Sequence, residues 1–530
     1  MPLHIGRRRL RAALGTGRNG SWTPHVAIIG AGLSGLGAAI ELRRAGLRDI
    51  TIFEKAGEVG GTWRDNTYPG SGCDVPSHLY SFSFAPKVDW TRKFAEQPEI
   101  LGYARALADD FGLRPLIRFS TEIVSASFDD RSGRWRLTTG EGEDVDCDVL
   151  IGAVGQLNRP AVPALPGASE FAGATFHSAR WDHSVDLADK HVAVVGNGAS
   201  AIQFVPAIAG DVASLTIFQR SSNYVAPKPD RVYGTFERRL LRWIAPLQRA
   251  YRWRIYWALE LRWLLFRRES RLAALAQRRF SSEIRTHLVS DRLTDEMLVP
   301  DYPIGCKRIL ISNDWYPALL RPTTQVVTSP VDHLTSAAVV SADGVSHRAD
   351  VVIFATGFDT THFLAPIEVT GSNGRQLDEC WRDGAEAYLG ITVAGFPNLF
   401  LLYGPNTNLG HNSILFMVER QIDYVAQCIA RMVRRRANVL EVRGEAMTRF
   451  NGAVSARLAK TAWAGACHSW YKTAQGRVTN NWPGFTLRYW ADTLVPRFGD
   501  FHLSSSSSDR QPSTNGSAGA VTSQTAVGAP

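Results

Sequence analysis

The stretch Val26-Ala-Ile-Ile-Gly-Ala-Gly-Leu-Ser-Gly35 decides the fold. Val26 to Ile29 is a short apolar run suited to a strand buried on both faces of a parallel sheet. Gly30-x-Gly32-x-x-Gly35 follows, then a helical pattern to Arg44 that stops at Gly46. Ile50 to Phe53 reads as the next strand and ends in Glu54, 19 residues after Gly35. Strand, glycine loop, helix, strand and acid in this order form the dinucleotide-binding fingerprint. Gly30 permits the tight turn, Gly32 lets a pyrophosphate approach the backbone, and Gly35 lets helix and strand close up. The helix N-terminus offers free N–H groups to phosphates. Glu54 is placed to accept from ribose hydroxyls.

The pattern recurs. Val192 to Val195 is a strand, Gly196-Asn-Gly198-Ala-Ser200-Ala201 is a phosphate loop with Ala in the third place, and Leu215 to Phe218 closes the unit. The two strand ends are Thr51-Ile-Phe-Glu54-Lys55 and Thr216-Ile-Phe-Gln219-Arg220, followed by Ser221. A carboxylate repels a ribose 2′-phosphate. Gln219 removes that repulsion and Arg220 supplies a cation able to bind it through two hydrogen bonds. The expected class is therefore α/β, with two Rossmann-like domains, the second selecting NADPH. Val145 to Val154, Asp350 to Gly357 (DVVIFATG) and Leu399 to Tyr403 read as further buried strands.

The chain has 530 residues, enough for two or three domains. A net charge of +9 fits nucleic acid, anionic lipid or an anionic cofactor. No nucleic-acid-binding module accompanies it, so nucleic acid is not expected as a partner. Six cysteines without a C-x-x-C pair argue against a disulfide framework, a zinc site and a redox dithiol, and suit a reducing, cytoplasmic setting. No metal is expected. The basic stretch 1–22 and the Ser-, Gly- and Thr-rich stretch 504–530 read as disordered tails. Residues 231–302 combine Trp243, Trp253, Trp257 and Trp263 with many arginines on a helical pattern. Three readings fit that segment: a helical insert, a helix lying on an anionic membrane surface, and a nucleic-acid surface.

Between the two glycine loops lies Phe171-x-Gly173-x-x-x-His177-x-x-x-Trp181-Asp182. Its spacing matches neither a helix nor a strand period. It resembles the signature of type I Baeyer–Villiger monooxygenases. Gly60-Gly61-Thr62-Trp63, Tyr68-Pro69-Gly70 and Asp74 resemble a second motif of that family. Lys307-Arg308, after Tyr302-Pro303, resembles the place of its active-site arginine. Gly404-Pro-Asn-Thr-Asn408 resembles its flavin loop.

The resemblance implies FAD on the first loop, with Gly30, Gly32, Gly35, Glu54, Thr62, Trp63, Asp74 and Asn408. It implies NADPH on the second, with Gly196, Gly198, Ser200, Arg220, Ser221 and Lys307. Arg308 and Asp74 are the expected catalytic pair, and Phe171, Gly173, His177, Trp181 and Asp182 an expected hinge. The implied reaction uses NADPH to reduce FAD, traps O2 as a flavin peroxide, and turns a ketone into an ester or lactone. Arg308 would keep that oxygen anionic while Asp74 orients the guanidinium. The expected layout places the FAD domain at 23–157 and 388–503, the NADPH domain at 158–230 and 303–387, and the insert at 231–302. An N- or S-oxidising flavin monooxygenase is the rival enzyme. A silent NADPH-binding regulator is the rival of another kind.

Overall fold

The computed structural model of the chain describes residues 4–15, 22–268, 270–286, 293–465, 467 and 469–505. Two five-stranded sheets, all of their pairings parallel, carry the architecture. In the first, Val26–Ile29 is central, with Ile50–Phe53 and then Ile117–Arg118 on one side and Val149–Gly152 and then Leu399–Leu401 on the other. In the second, His191–Val195 is central, with Ser214–Phe218 and then Thr324–Val327 on one side and Val351–Phe354 and then Ala174–His177 on the other. The central strands are apolar and buried on both faces, as a sheet covered by helices requires. Each glycine loop leaves the carboxyl end of its central strand where the chain order reverses, the crevice in which doubly wound sheets bind ligands.

The segment read as one strand from Val145 to Val154 is two. Asp144–Cys147 belongs to an antiparallel sheet and Val149–Gly152 to the parallel one. Asp148 separates them, accepting from the His25 N–H at 2.8 Å. A further correction concerns the N-terminus. Residues 1–22 are not simply a tail, because Ile5–Gly15 is a helix packed on the long helix Ile414–Arg435. Leu10 is fully buried there, and the Gly6 N–H donates to Asp423 at 2.8 Å. His4 and Arg7 pair with the buried Glu41 at 3.3 and 3.4 Å. These carboxylates lie far off in sequence, so the arginine-rich stretch looks unpartnered when read alone. At the other end, Phe501–Ser504 is a strand paired with Val439–Val442, so order extends past the expected start of the C-terminal tail. Residues 1–3, 16–21 and 506–530 lie outside the described residues.

Where residues 231–302 are described they are mostly helical, through Thr235–Trp243, Ala245–Glu260 and Arg271–Arg285. Ile255, Tyr256 and Leu259 pack against Leu79 of the first domain. Buried Glu260 accepts from Asn412 and Thr486, both at 2.8 Å. The insert is thus bound to the flavin-type loop and to the C-terminal segment. Trp263 is buried, whereas Trp243, Trp253 and Trp257 are exposed.

Candidate active site

Gly30 and Gly196 adopt the same backbone conformation, φ +105°. A Cβ on Gly30 would meet the Ala153 carbonyl oxygen at 2.7 Å, and one on Gly196 would meet that of Ala355 at 2.6 Å. Each loop therefore folds against the residue that follows the neighbouring strand, and only glycine fits both the angle and the approach. A Cβ on Gly35 would lie 1.9 Å from the Gly30 carbonyl oxygen, which explains the third glycine of the first loop. Gly61 lies against Gly32, with 3.2 Å from a Cβ there to the Gly32 Cα. Two bare backbones thus face one space, a cradle suited to pyrophosphate.

Both loops open into one cavity of about 890 Å³. Its walls include Gly30, Gly32, Glu54, Thr62, Trp63 and Asp74 from the first domain and Asn408 from the returning segment. Gly196, Gly198, Ser200, Arg220, Ser221, Lys307 and Arg308 line the other side. Gly35 does not line the cavity, in keeping with its packing. Glu54 is buried, and its carboxylate accepts from the Ala31 N–H at 2.9 Å, the Ala56 N–H at 3.0 Å and Arg64 at 2.9 Å. The acid therefore braces the glycine loop as well as bordering the cavity.

The centre of the cavity is an ion pair. Arg308 Nη2 donates to Asp74 Oδ2 at 3.0 Å. Burial disfavours the guanidinium charge, but the Asp74 carboxylate outweighs it and the Arg308 pKa is raised. The side chain is nonetheless about a third exposed, because it faces the open cavity. Asp74 is held in turn by Gln203, whose side chain donates to the Gly72 carbonyl at 3.1 Å and reaches Asp74 Oδ1 at 3.5 Å. Gln203 also accepts from the Tyr68 hydroxyl at 2.9 Å. Gln203 sits in the second-domain helix Ala201–Ile208, and a Cβ on Gly70 would meet its backbone oxygen at 2.7 Å. This clamp was missed in the sequence because Gln203 shows only as one polar position in an apolar helix. Cys73 is no nucleophile here, since burial pushes its thiol up to about 12.

Around the second loop, Lys307 donates to the Ser221 hydroxyl at 2.6 Å. Burial and the neighbouring Arg220 both lower the Lys307 pKa. Two cations held close together at a cavity wall disfavour each other until an anion joins them. Gln219 does not face the ligand space. Its side chain is buried, accepting from Asn197 at 2.9 Å and donating to the Met297 carbonyl at 2.6 Å. On the far wall Asn408 accepts from the Tyr403 hydroxyl and donates to Asn481, both at 2.7 Å.

None of the five residues of the linking motif lines the cavity. Phe171 is buried, and a Cβ on Gly173 would meet the Asp350 carbonyl oxygen at 2.1 Å. His177 accepts from the Ala179 N–H at 3.1 Å and stacks edge-on against Phe358, just beyond the Ala355-Thr356-Gly357 turn. Burial lowers its pKa. Trp181 packs edge-on against Phe176 and Phe204, and exposed Asp182 caps a turn at Ser184.

The cysteine reading needs correcting. Cys306 and Cys467 are joined in a disulfide across 161 residues, with Cα atoms 6.3 Å apart. The bond ties the Arg308 loop to the segment carrying Ser469 and Trp470, which also border the cavity. A separation of that size leaves no spacing signal in the sequence, and the expectation that the cysteines form no disulfide framework has to admit this one bridge. Among the described residues no helix is long and apolar enough to cross a membrane.

A profile of flavin-binding monooxygenase-like proteins matches residues 23–234. A Baeyer–Villiger monooxygenase of Streptomyces coelicolor is 43% identical over 474 residues, covering 88% of this chain and 90% of that protein. The chain belongs to the Baeyer–Villiger monooxygenase family. A second such enzyme, from Pseudomonas aeruginosa, is 43% identical over 480 residues, covering 90% of this chain and 91% of its own length. Among solved structures, an oxidised steroid monooxygenase bound to NADP aligns with a TM-score of 0.80 at 31% identity, over 91% of this chain and all of that one. The closed form of cyclohexanone monooxygenase aligns with a TM-score of 0.81 at 27% identity, over 92% of this chain and all of that one.

Proposed function

We infer that this chain is an FAD-containing, NADPH- and O2-dependent Baeyer–Villiger monooxygenase, which inserts oxygen beside a ketone carbonyl to give an ester or lactone. The observation that carries the reading is the Arg308–Asp74 pair, 3.0 Å apart inside a cavity served by two dinucleotide loops. We assign FAD to the loop at Gly30, Gly32 and Gly61, with Glu54 bracing the loop at the ribose end and Thr62, Trp63 and Asn408 on the walls. We assign NADPH to Gly196, Gly198 and Ser200, with Arg220, Ser221 and Lys307 receiving the 2′-phosphate. FAD, when bound, supplies the two-electron chemistry and the activation of O2.

The remaining work falls to the protein. Arg308 is a fixed cation at the cavity wall, and it stabilises negative charge that develops on oxygen during attack on the ketone. A preorganised donor of this kind is worth about 10²–10³ in rate. Asp74 positions Arg308 without cancelling it, because the carboxylate takes one edge of the guanidinium and leaves the other nitrogens free to point at reacting oxygen. Gln203 holds Asp74 from the other domain, so pair geometry and domain closure are coupled. The linking motif acts at that junction and not on substrate.

The test is product analysis by mass spectrometry with NADPH and a panel of ketones. Wild type should form esters or lactones, and Arg308→Ala should lose them by about 10²–10³-fold while still binding flavin. Undiminished ester formation by that variant refutes the assignment. Oxidation of amines or sulfides alone, with no ketone product, moves the chain to the N- or S-oxidising class.

A further inference from the structure

We propose that the helical insert is a docking surface for anionic lipid. The helix Ala245–Glu260 continues into the turn Leu261–Phe266, and Trp253, Trp257 and Leu261 follow one another at intervals of four on its outer face. Trp253 is 39% exposed, Trp257 45% and Leu261 59%. The two indoles are stacked with ring centres 6.4 Å apart. The preceding helix, Thr235–Trp243, adds Phe236 and Trp243, 78% and 79% exposed, on one of its faces. Large apolar side chains left this bare across two packed helices mark an interaction site.

Charge identifies the partner. Arg239, Arg242, Arg249 and Arg254 are exposed on the same two helices. Among the described residues from 234 to 262 the acids are Glu237, paired with Arg231, and Glu260, which is buried. A second copy of the chain docking about a twofold axis would set this arginine-rich face against itself, bringing like charges together with no free acid on the face to offset them. Nucleic acid would use the cations and stack on indoles but gives no reason for exposed Leu261 and Phe236. A bilayer of anionic lipid meets both needs, with headgroups against guanidinium and interfacial hydrocarbon against Trp, Phe and Leu. The inference does not depend on the catalytic reading, since none of these side chains lines the cavity of the Arg308–Asp74 pair.

The experiment is co-sedimentation of the full chain with phosphatidylcholine vesicles, with and without phosphatidylglycerol. The chain should pellet with the phosphatidylglycerol vesicles at low salt and progressively less as salt is raised. The double variant Trp253→Ser/Trp257→Ser should bind them about tenfold more weakly, and so should Arg249→Ser/Arg254→Ser, both with wild-type melting temperature. Failure of the chain to pellet with phosphatidylglycerol vesicles at low salt overturns the proposal. Unchanged binding by the tryptophan variant also overturns it, since only diffuse charge would then be at work. A dimer seen by light scattering and lost in the tryptophan variant, without vesicle binding, assigns the face to a second copy. Retention of a DNA duplex in place of vesicles assigns it to nucleic acid.

Discussion

Replacing Asp74 by Asn removes one charge from the centre of the cavity and almost nothing else. The amide has the shape of the carboxylate, and its oxygen can still meet Gln203. What disappears is the charge-assisted bond from Arg308 Nη2, 3.0 Å long. Such bonds contribute about 1.5–3 kcal/mol. The guanidinium is about a third exposed to the cavity, and that wetting places the value at the lower end. If the pair serves to aim the cation, the loss reappears in kcat/KM for ester formation as roughly a tenfold to thirtyfold fall, at about 1.4 kcal/mol per factor of ten. The assay measures ester by gas chromatography and NADPH consumption in parallel. Aiming predicts that ester falls further than NADPH consumption, so reducing equivalents are spent without product. A melting curve and bound-flavin absorbance establish that the variant is folded. Ester formation within twofold of wild type would refute the argument, because an idle Asp74 leaves nothing to hold Arg308 against the open cavity.

Arg220→Ala should raise KM for NADPH by about tenfold while leaving KM for NADH nearly unchanged, which steady-state kinetics with both nucleotides would check. Gly173→Ala should lower stability by about 3 kcal/mol in chemical denaturation, because the new methyl would lie 2.1 Å from the Asp350 carbonyl oxygen and the sheet edge must shift. Leu10→Ala should cost ~3 kcal/mol in the same measurement, whereas a disordered tail would give no change. His78 lies between Tyr233 and Tyr251, and neither ring nitrogen has a hydrogen-bond partner among the described residues. Burial, with Arg252 nearby, pushes its pKa down to about 4 from the ordinary 6.5. Its contribution to stability is therefore fully present above pH 6.5 and is lost as pH falls through about 4, on the order of 3 kcal/mol at most. His78→Leu should flatten the stability profile within that window.

The two phosphate loops were legible because their constraints are local. A glycine at φ +105° against a neighbouring strand end, and a helix that starts within five residues of it, at Leu33 and at Ala201, are written in nearby positions. The difference between Glu54 and Arg220 is legible for the same reason, since both stand at the end of a strand whose pattern repeats. The reading of Gln219 as a neutral substitute for an acid was incomplete, because only the folded chain shows its amide spent on Asn197 and Met297. Elements whose partners lie far away in sequence were read wrongly or not at all. The N-terminal helix is ordered by Glu41 and Asp423, and Cys306 by Cys467. His78 likewise owes its surroundings to distant residues, the Tyr233 and Tyr251 rings of the insert.

The linear chain thus determines by itself that this protein has two glycine loops after buried strands, in what order, and that the paired strand ends differ as Glu54 against Gln219-Arg220, since each depends on a handful of consecutive residues. Only the tertiary structure decides that Arg308 meets Asp74 and that Gln203, from the opposite domain, steadies them. Those three residues are 234 and 129 positions away from one another when measured from Asp74. Their encounter depends on how two sheets are set against each other, and no short-range pattern encodes that arrangement.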